Sequence, residues 1–245
     1  MNKKFKNTDT LVIVPAFNEE GNIKAVLNGV KKEVPHADIL VVDDCSRDGT
    51  RNMARALGVR VITHPFHLGY GVSLQTGFKY ATKKNYDFII QMDGDMQHEP
   101  KCIGTLLDKL KESDADVVIG SRFLNKKSYK PGPVRRLGMA LFASIASLFI
   151  GQKITDATSG FRALNKKVVK FYTSEIYPSD FPDADVIIVT SRMGYRIKEV
   201  PAIMHKSMNK KSMHNSLKPC YYVFKMLLSI SAGLFKKRQN FKKEA

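Results

Sequence analysis

Between residues 11 and 122 the chain repeats one pattern: a short, continuously apolar run, a polar end, then an amphipathic stretch of helical spacing. The runs are LVIVPAF (Leu11 to Phe17), DILVVDD, VRVITH, YDFIIQMD and ADVVIGSRF. Runs that do not alternate with polar residues are buried on both faces, as parallel strands are, and parallel neighbours need helical crossovers. CSRDGTRNMARALG offers a turn and a helix ended by Gly58, GYGVSLQTGFKYATKKN a helix opened by glycines, and Pro100 begins another. The expected fold is therefore α/β: a mostly parallel sheet with helices on both faces and ligand sites beyond the carboxyl ends of its strands.

Those ends carry the chemistry: Asn18 and Glu19, Asp43 and Asp44, Asp93 and Asp95, Ser121 and Arg122. After Arg122 the pattern loosens into a basic loop with Pro131 and Pro133, an apolar helix from Val134 to Ile150, and the loop TDATSGFR. A short helix from Asn165, a loop with Pro178 and Pro182, a helix from Asp183 to Met193 stopped by Gly194, the strand RIKEVPAIMH and a helix after Pro219 complete it.

The net charge of +17 calls for a polyanionic partner: nucleic acid, an anionic membrane face or a phosphorylated substrate. Lys126, Lys127, Lys130, Arg135 and Arg136 form one basic cluster, and from Lys206 onward ten Lys or Arg face a single acid, Glu244. No run of stacking aromatics accompanies them, which argues against nucleic acid. Three cysteines without CxxC spacing argue against a disulfide framework or a zinc site and fit a reducing cytoplasm. The longest apolar stretches, Leu137 to Ile150 and Met226 to Phe235, fall short of the ~20 residues that cross a bilayer, so no transmembrane span is expected. Apolar helix plus basic tail at residues 216–245 instead suits an anionic membrane surface, a small membrane protein or a second copy of the chain.

In QMDGDMQHEP the carboxylates of Asp93 and Asp95 repel each other unless a cation joins them, and a hard divalent ion, Mg²⁺ or Mn²⁺, suits oxygen ligands and bridges to phosphates. At Asp43-Asp44 one acid is enough to cap the following helix, leaving the other for a base or ribose. PAFNEEGN replaces the GxGxxG of dinucleotide folds, which disfavours that class. His98, beside the acids, is either a metal or diphosphate contact or a polar surface residue.

Taken in order, VPAFNEEGNI, VVDDCSRDGT, HLGYGVSLQTGFKYA, QMDGDMQHEP, GSRF and TDATSGFRALNKK resemble the inverting family-two glycosyltransferases of GT-A fold, in particular the dolichol-phosphate mannosyltransferase and bacterial polyprenyl-phosphate glycosyltransferase group. The resemblance implies one catalytic domain over residues 1–215, with a nucleotide-sugar half at 10–98 and an acceptor half at 99–215. It implies transfer, with inversion, from a nucleotide diphosphate-sugar to a polyprenyl phosphate at the cytoplasmic membrane face, for cell-surface glycan synthesis. Pro15, Ala16, Asn18, Glu19, Asp43, Asp44, Ser46, Gly71 and Asp93 would hold the nucleotide-sugar, and Asp95 and Gln97 the metal. Arg122, Arg135, Arg136 and Arg162 would meet the acceptor phosphate, with Asp95, Arg122 and Asp156 as the catalytic set. An acceptor hydroxyl would instead require a general base, for which Asp183 and Asp185 are the choices. A non-catalytic nucleotide-sugar sensor is the alternative of another class. The chain departs from the family pattern at His67, where asparagine is common, and in HKSMNKKSMHNS, which lacks the usual Arg and Gly.

Overall fold

The computed structural model describes residues 8–125, 128–129, 131–174, 177–178 and 182–206. The apolar runs become β1 (Thr10–Ala16), β2 (Asp38–Asp43), β3 (Arg60–Thr63), β4 (Phe88–Gln91) and β5 (Val117–Ser121). Between and after them come α1 (Glu20–Glu33), α2 (Thr50–Ala56), α3 (Tyr70–Lys83), α4 (Ile103–Glu112) and α5 (Pro133–Ile150). The remainder forms β6 (Arg162–Asn165), α6 (Lys166–Tyr172), α7 (Ala184–Arg192) and β7 (Ile197–Pro201). One seven-stranded sheet runs in the order β3-β2-β1-β4-β6-β5-β7, parallel except for β6, which is antiparallel to both β4 and β5. The α/β fold expected from the alternation is the one observed.

All seven residues of β1 are buried, because the strand is central and covered on both faces. Leu11 and Ile13 join the core that includes Phe78, Phe142 and Ile187, while Val12 and Val14 join the core of Ile23, Leu27 and Leu106. Each fully buried aliphatic side chain stabilises the fold by about 1.5–3 kcal/mol, so the sheet is anchored where the two cores meet it. Helix α3 lies so close to β1 that a Cβ at Gly77 would stand 2.5 Å from Ile13 Cγ2. Helix α5 stops at Gly151, whose φ of +74° is the left-handed conformation that favours glycine.

Strand β6 corrects the sequence reading, which has TDATSGFR as loop running directly to a helix at Asn165. Four residues, Arg-Ala-Leu-Asn, pair between β4 and β5, and Asn165 then caps α6 by accepting from the Lys167 and Val168 amides. A strand this short, led by an arginine, has no apolar period to reveal it; the two neighbouring strands impose it. The helix expected after Pro219, the basic tail, Lys126, Lys127 and Lys130 lie outside the described residues.

Candidate active site

The loops after β1 and β2 are tied to each other. Asn18, in the left-handed region at φ +55°, donates its backbone amide to Ser46 Oγ at 3.0 Å and accepts the Arg47 amide at Oδ1 at 2.9 Å. The Glu19 amide donates to Thr50 Oγ1 and the Glu20 amide to Asp48, whose carboxylate also receives the Thr50 amide. Pro15 and Ala16 complete this rim as the last residues of β1, and the Asp44 amide donates to the Ala16 carbonyl.

The two acids of β2 divide their work. Asp44 accepts from the Leu68 and Gly69 amides at 2.9 and 2.8 Å and lies 2.8 Å from both His64 Nδ1 and His67 Nδ1. Burial pushes its carboxyl up, but His64, the two amides and the charge of His67 outweigh this and hold it below its ordinary value. Asp44 thus shapes the loop leading into α3, whose second residue is the buried Gly71. Asp43 is fully buried; its Oδ1 accepts from the Ser46 amide at 3.3 Å, and its Oδ2 has no partner among the described residues. The departure at His67 has a structural consequence, for its ring stacks on Phe17 with centroids 4.1 Å apart.

The DGD turn sits at the end of β4, against β1: a Cβ on Gly94 would lie 3.2 Å from the Pro15 carbonyl oxygen. Asp93 accepts the Tyr70 hydroxyl at 2.7 Å, and the phenol is in turn 3.3 Å from Gln91 Nε2. Burial raises the Asp93 carboxyl above its ordinary value against the pull of Tyr70, Arg122 and Arg162. Burial and the neighbouring Asp93 charge likewise raise Asp95, against hydrogen bonds from the Gln97 amide and side chain. His98 is not a polar surface residue. It is buried, stacked on Phe161, and accepts the Asp93 amide at Nδ1, so its proton sits on Nε2, 3.6 Å from Asp93 Oδ2. Burial pushes its pKa down to about 4, which keeps the ring neutral at physiological pH.

Gly160 closes over this turn. A Cβ there would stand 2.9 Å from Tyr70 Oη and 3.3 Å from Asp93 Oδ2. Gly160→Ala is therefore expected to destabilise the chain by roughly 1–3 kcal/mol through overpacking. Urea unfolding checks this, and an unchanged midpoint and slope would remove the argument for close approach.

On the other side of the turn, Arg122 follows β5. Its Nε donates to Asp156 Oδ2 at 2.6 Å and its backbone amide to the same oxygen at 3.1 Å. The Asp156 side chain is fully buried and that of Arg122 mostly so, and no described residue takes the two Nη groups of Arg122. Its charge helps to lower the Asp93 carboxyl against the effect of burial. Arg162 also acts on Asp93, but its guanidinium is committed to backbone: fully buried, it donates to the Ser159, Pro182 and Asp183 carbonyls. Arg135 and Arg136 lie exposed on the first turn of α5. Asp185, also buried, accepts the Asp183 and Val186 amides at the start of α7.

The structure thus brings Asp93, Asp95, Arg122 and Asp156 into one electrostatic neighbourhood, with Arg162 also acting on Asp93 while bound to backbone carbonyls. Sequence reading missed Tyr70, His64 and the buried role of His98. Only the tyrosine carried a signal, lying within the quoted HLGYG.

Known proteins are similar to this chain along most of its length. The family model described as glycosyl transferase family 2 matches residues 11–173. An uncharacterized protein of Methanocaldococcus jannaschii is 35% identical over 195 residues, covering 79% of this chain and 80% of its own. The undecaprenyl-phosphate mannosyltransferase of Micrococcus luteus is 32% identical over 199 residues, 78% of this chain and 81% of its own. A crystal structure of glucosyl-3-phosphoglycerate synthase from Mycobacterium tuberculosis, in complex with Mn²⁺, UDP-glucose and phosphoglyceric acid, shares the fold with a TM-score of 0.69. It is 21% identical and covers 93% of this chain and 80% of that one. The family match spans every strand end from β1 to β6, and on that ground the chain belongs to glycosyl transferase family 2.

Proposed function

We propose that the chain transfers a sugar, with inversion, from a nucleoside-diphosphate donor to a polyprenyl phosphate at the cytoplasmic face of a membrane, as one catalytic unit over residues 1–215. The observation that carries this reading is Arg122 held by Nε and amide on Asp156 at the end of β5, its terminal nitrogens taken by no described side chain, at the same sheet edge as the DGD acids. The relative from Micrococcus luteus, by its name, supports a lipid phosphate acceptor, and the mycobacterial synthase with Mn²⁺ and UDP-glucose supports the donor class.

In this reading Pro15, Ala16, Asn18, Glu19, Asp43, Ser46, Gly71 and Asp93 surround the nucleotide-sugar, and Asp44 contributes by ordering the loop before α3. Asp95 and Gln97 would hold Mg²⁺ or Mn²⁺. The donor set fits such an ion: two acids with raised carboxyls sit together, and no group of three His, Cys, Asp or Glu among the described residues forms a complete cage. An ion held there would keep coordination for substrate phosphates and would supply neutralisation of the departing charge. A phosphate acceptor is already anionic, so orientation by Arg122 replaces deprotonation, and Asp156 acts as the counter-ion of that arginine. The backbone bonds of Asp185 at the start of α7 favour a helix-end role over that of a general base.

Membrane contact has support on α5, where Leu137 and Leu148 are 74% and 79% exposed beside Leu141, Arg135 and Arg136. Exposed leucines with adjoining arginines suit an anionic bilayer surface. Among the described residues no helix is long and apolar enough to cross a membrane.

The test is to incubate the full chain with undecaprenyl phosphate, Mn²⁺ or Mg²⁺, and labelled UDP-glucose, UDP-N-acetylglucosamine or GDP-mannose. Labelled lipid from one donor is expected. No labelled lipid from any of them, with nucleotide-sugar binding intact, would favour the sensor instead.

A further inference from the structure

From the geometry we infer that Glu199, on β7, is a positioning residue that sets the direction of the Arg122 guanidinium by clamping the turn at Thr155 and Asp156. The inference rests on the reading of Arg122 as the acceptor-phosphate residue and extends it to a strand at the edge of the sheet, far along the chain.

The contacts form a chain of donors and acceptors. Glu199 Oε2 accepts the Thr155 amide at 2.8 Å and the Thr155 hydroxyl at 2.9 Å, while Oε1 accepts the Asp156 amide at 2.9 Å. Thr155 Oγ1 is also 2.6 Å from the Ser121 hydroxyl, at the end of β5 immediately before Arg122. With its backbone held there, Asp156 offers Oδ2 to both the amide and Nε of Arg122. Using Nε for this bond leaves the two Nη groups as the remaining donors, the pair that meets a phosphate end-on. Parallel pairing of β5 with β7, with Ile119 opposite Glu199, brings the acid beneath this turn.

An acid in this place has a cost. Burial raises the Glu199 carboxyl above its ordinary value despite the hydrogen bonds it accepts, and the nearby Asp156 charge adds to the rise. A glutamine of the same shape would avoid that cost. However, all three partners are donors, so its amide nitrogen would face an N–H group wherever it turned. The arrangement therefore demands two acceptor oxygens, which only an ionised carboxylate provides at this length.

Glu199→Gln in the full chain tests this. Its kcat/KM for undecaprenyl phosphate is expected to fall on the order of 10- to 10²-fold, the scale of an ångström-level misplacement. Affinity for the nucleoside diphosphate with Mn²⁺ should stay unchanged, a split that general destabilisation would not produce. In an Arg122→Lys background the same substitution should cost less than about 2-fold, because coupled residues do not add. Independently of turnover, the Arg122 Nε–H signal in a nitrogen-15 spectrum, identified by its loss in Arg122→Lys, should be protected from exchange in the wild type and exposed in Glu199→Gln. Thr155→Val, which removes the hydroxyl bonds to Glu199 and Ser121 and keeps both amide bonds to the acid, should move each readout the same way by less, and it decides the matter if Glu199→Gln does not fold. Unchanged acceptor kinetics with an unchanged Nε–H signal, or losses that multiply in the Arg122→Lys background, would overturn the inference. A wild-type chain that transfers no sugar would instead overturn the functional reading, and the Nε–H signal would still decide the role of Glu199.

Discussion

Asp95→Asn is expected to lower sugar transfer by about 10²–10³-fold, the cost of losing one preorganised charge contact to a departing group, while raising the melting temperature. The two effects come from one cause. Burial and like charge raise the carboxyls of Asp93 and Asp95, so the folded chain carries ionised acids in a place that disfavours them. Neutral asparagine removes that repulsion, and about 1 kcal/mol corresponds to roughly 2–4 °C for a chain of this size. The sign with pH follows from linkage. A carboxyl whose folded pKa lies above its unfolded value destabilises the fold at neutral pH, and protonation relieves this as pH falls through the folded pKa toward the ordinary carboxylate value. The gap in melting temperature between variant and wild type is thus expected to be widest near pH 7 and to close on acidification. Mn²⁺ with nucleoside diphosphate should raise the wild type and leave Asp95→Asn nearly unmoved. A variant that melts below the wild type at pH 7, or responds equally to the ion, would contradict the assignment of Asp95.

Arg122→Ala carries the second large effect, and it acts on stability as well as activity. Asp156 is fully buried at its side chain, and Arg122 is the cation it faces. Removing one partner of a buried ion pair costs about 3–5 kcal/mol, since the remaining charge keeps only neutral donors. Here those are the residue-122 amide and the Thr158 hydroxyl. Arg122→Ala/Asp156→Asn is expected to recover part of this loss in urea unfolding, because no charge is left stranded. Arg122→Lys should fold nearly as well, yet raise the KM for the lipid phosphate by about 10- to 100-fold, because a point charge cannot present a forked pair of donors. A lysine variant with wild-type KM would place the acceptor phosphate elsewhere, with exposed Arg135 and Arg136 on α5 next to be changed.

Much of this site could be read from local pattern. The acids at 43, 44, 93 and 95 announced themselves because each follows an apolar run, and a parallel sheet must deliver the ends of its strands to one edge. Arg162 shows where that reasoning stops. On the page it is an arginine in a family-like loop; in the molecule it opens β6, fully buried, with its guanidinium on three backbone carbonyls. Nothing in its neighbours along the chain distinguishes a phosphate-binding arginine from one that secures a loop. His98 misleads similarly, since a histidine three residues after Asp95 reads as a surface residue or a ligand until Phe161 stacks on it.

By itself, then, the sequence determined the elements and the edge at which they deliver their polar ends, because apolar periodicity and strand-end chemistry are local properties that a few adjacent residues carry. Only the tertiary structure decided which charges face one another. Arg122 meets Asp156 across 34 residues, Asp44 meets His64 across 20, and Glu199 reaches Thr155 across 44. Such pairings depend on strand order and on the insertion of antiparallel β6 between β4 and β5. They cannot be read from spacing, because the desolvation that makes a buried charge seek its partner exists only once the sheet has closed around it.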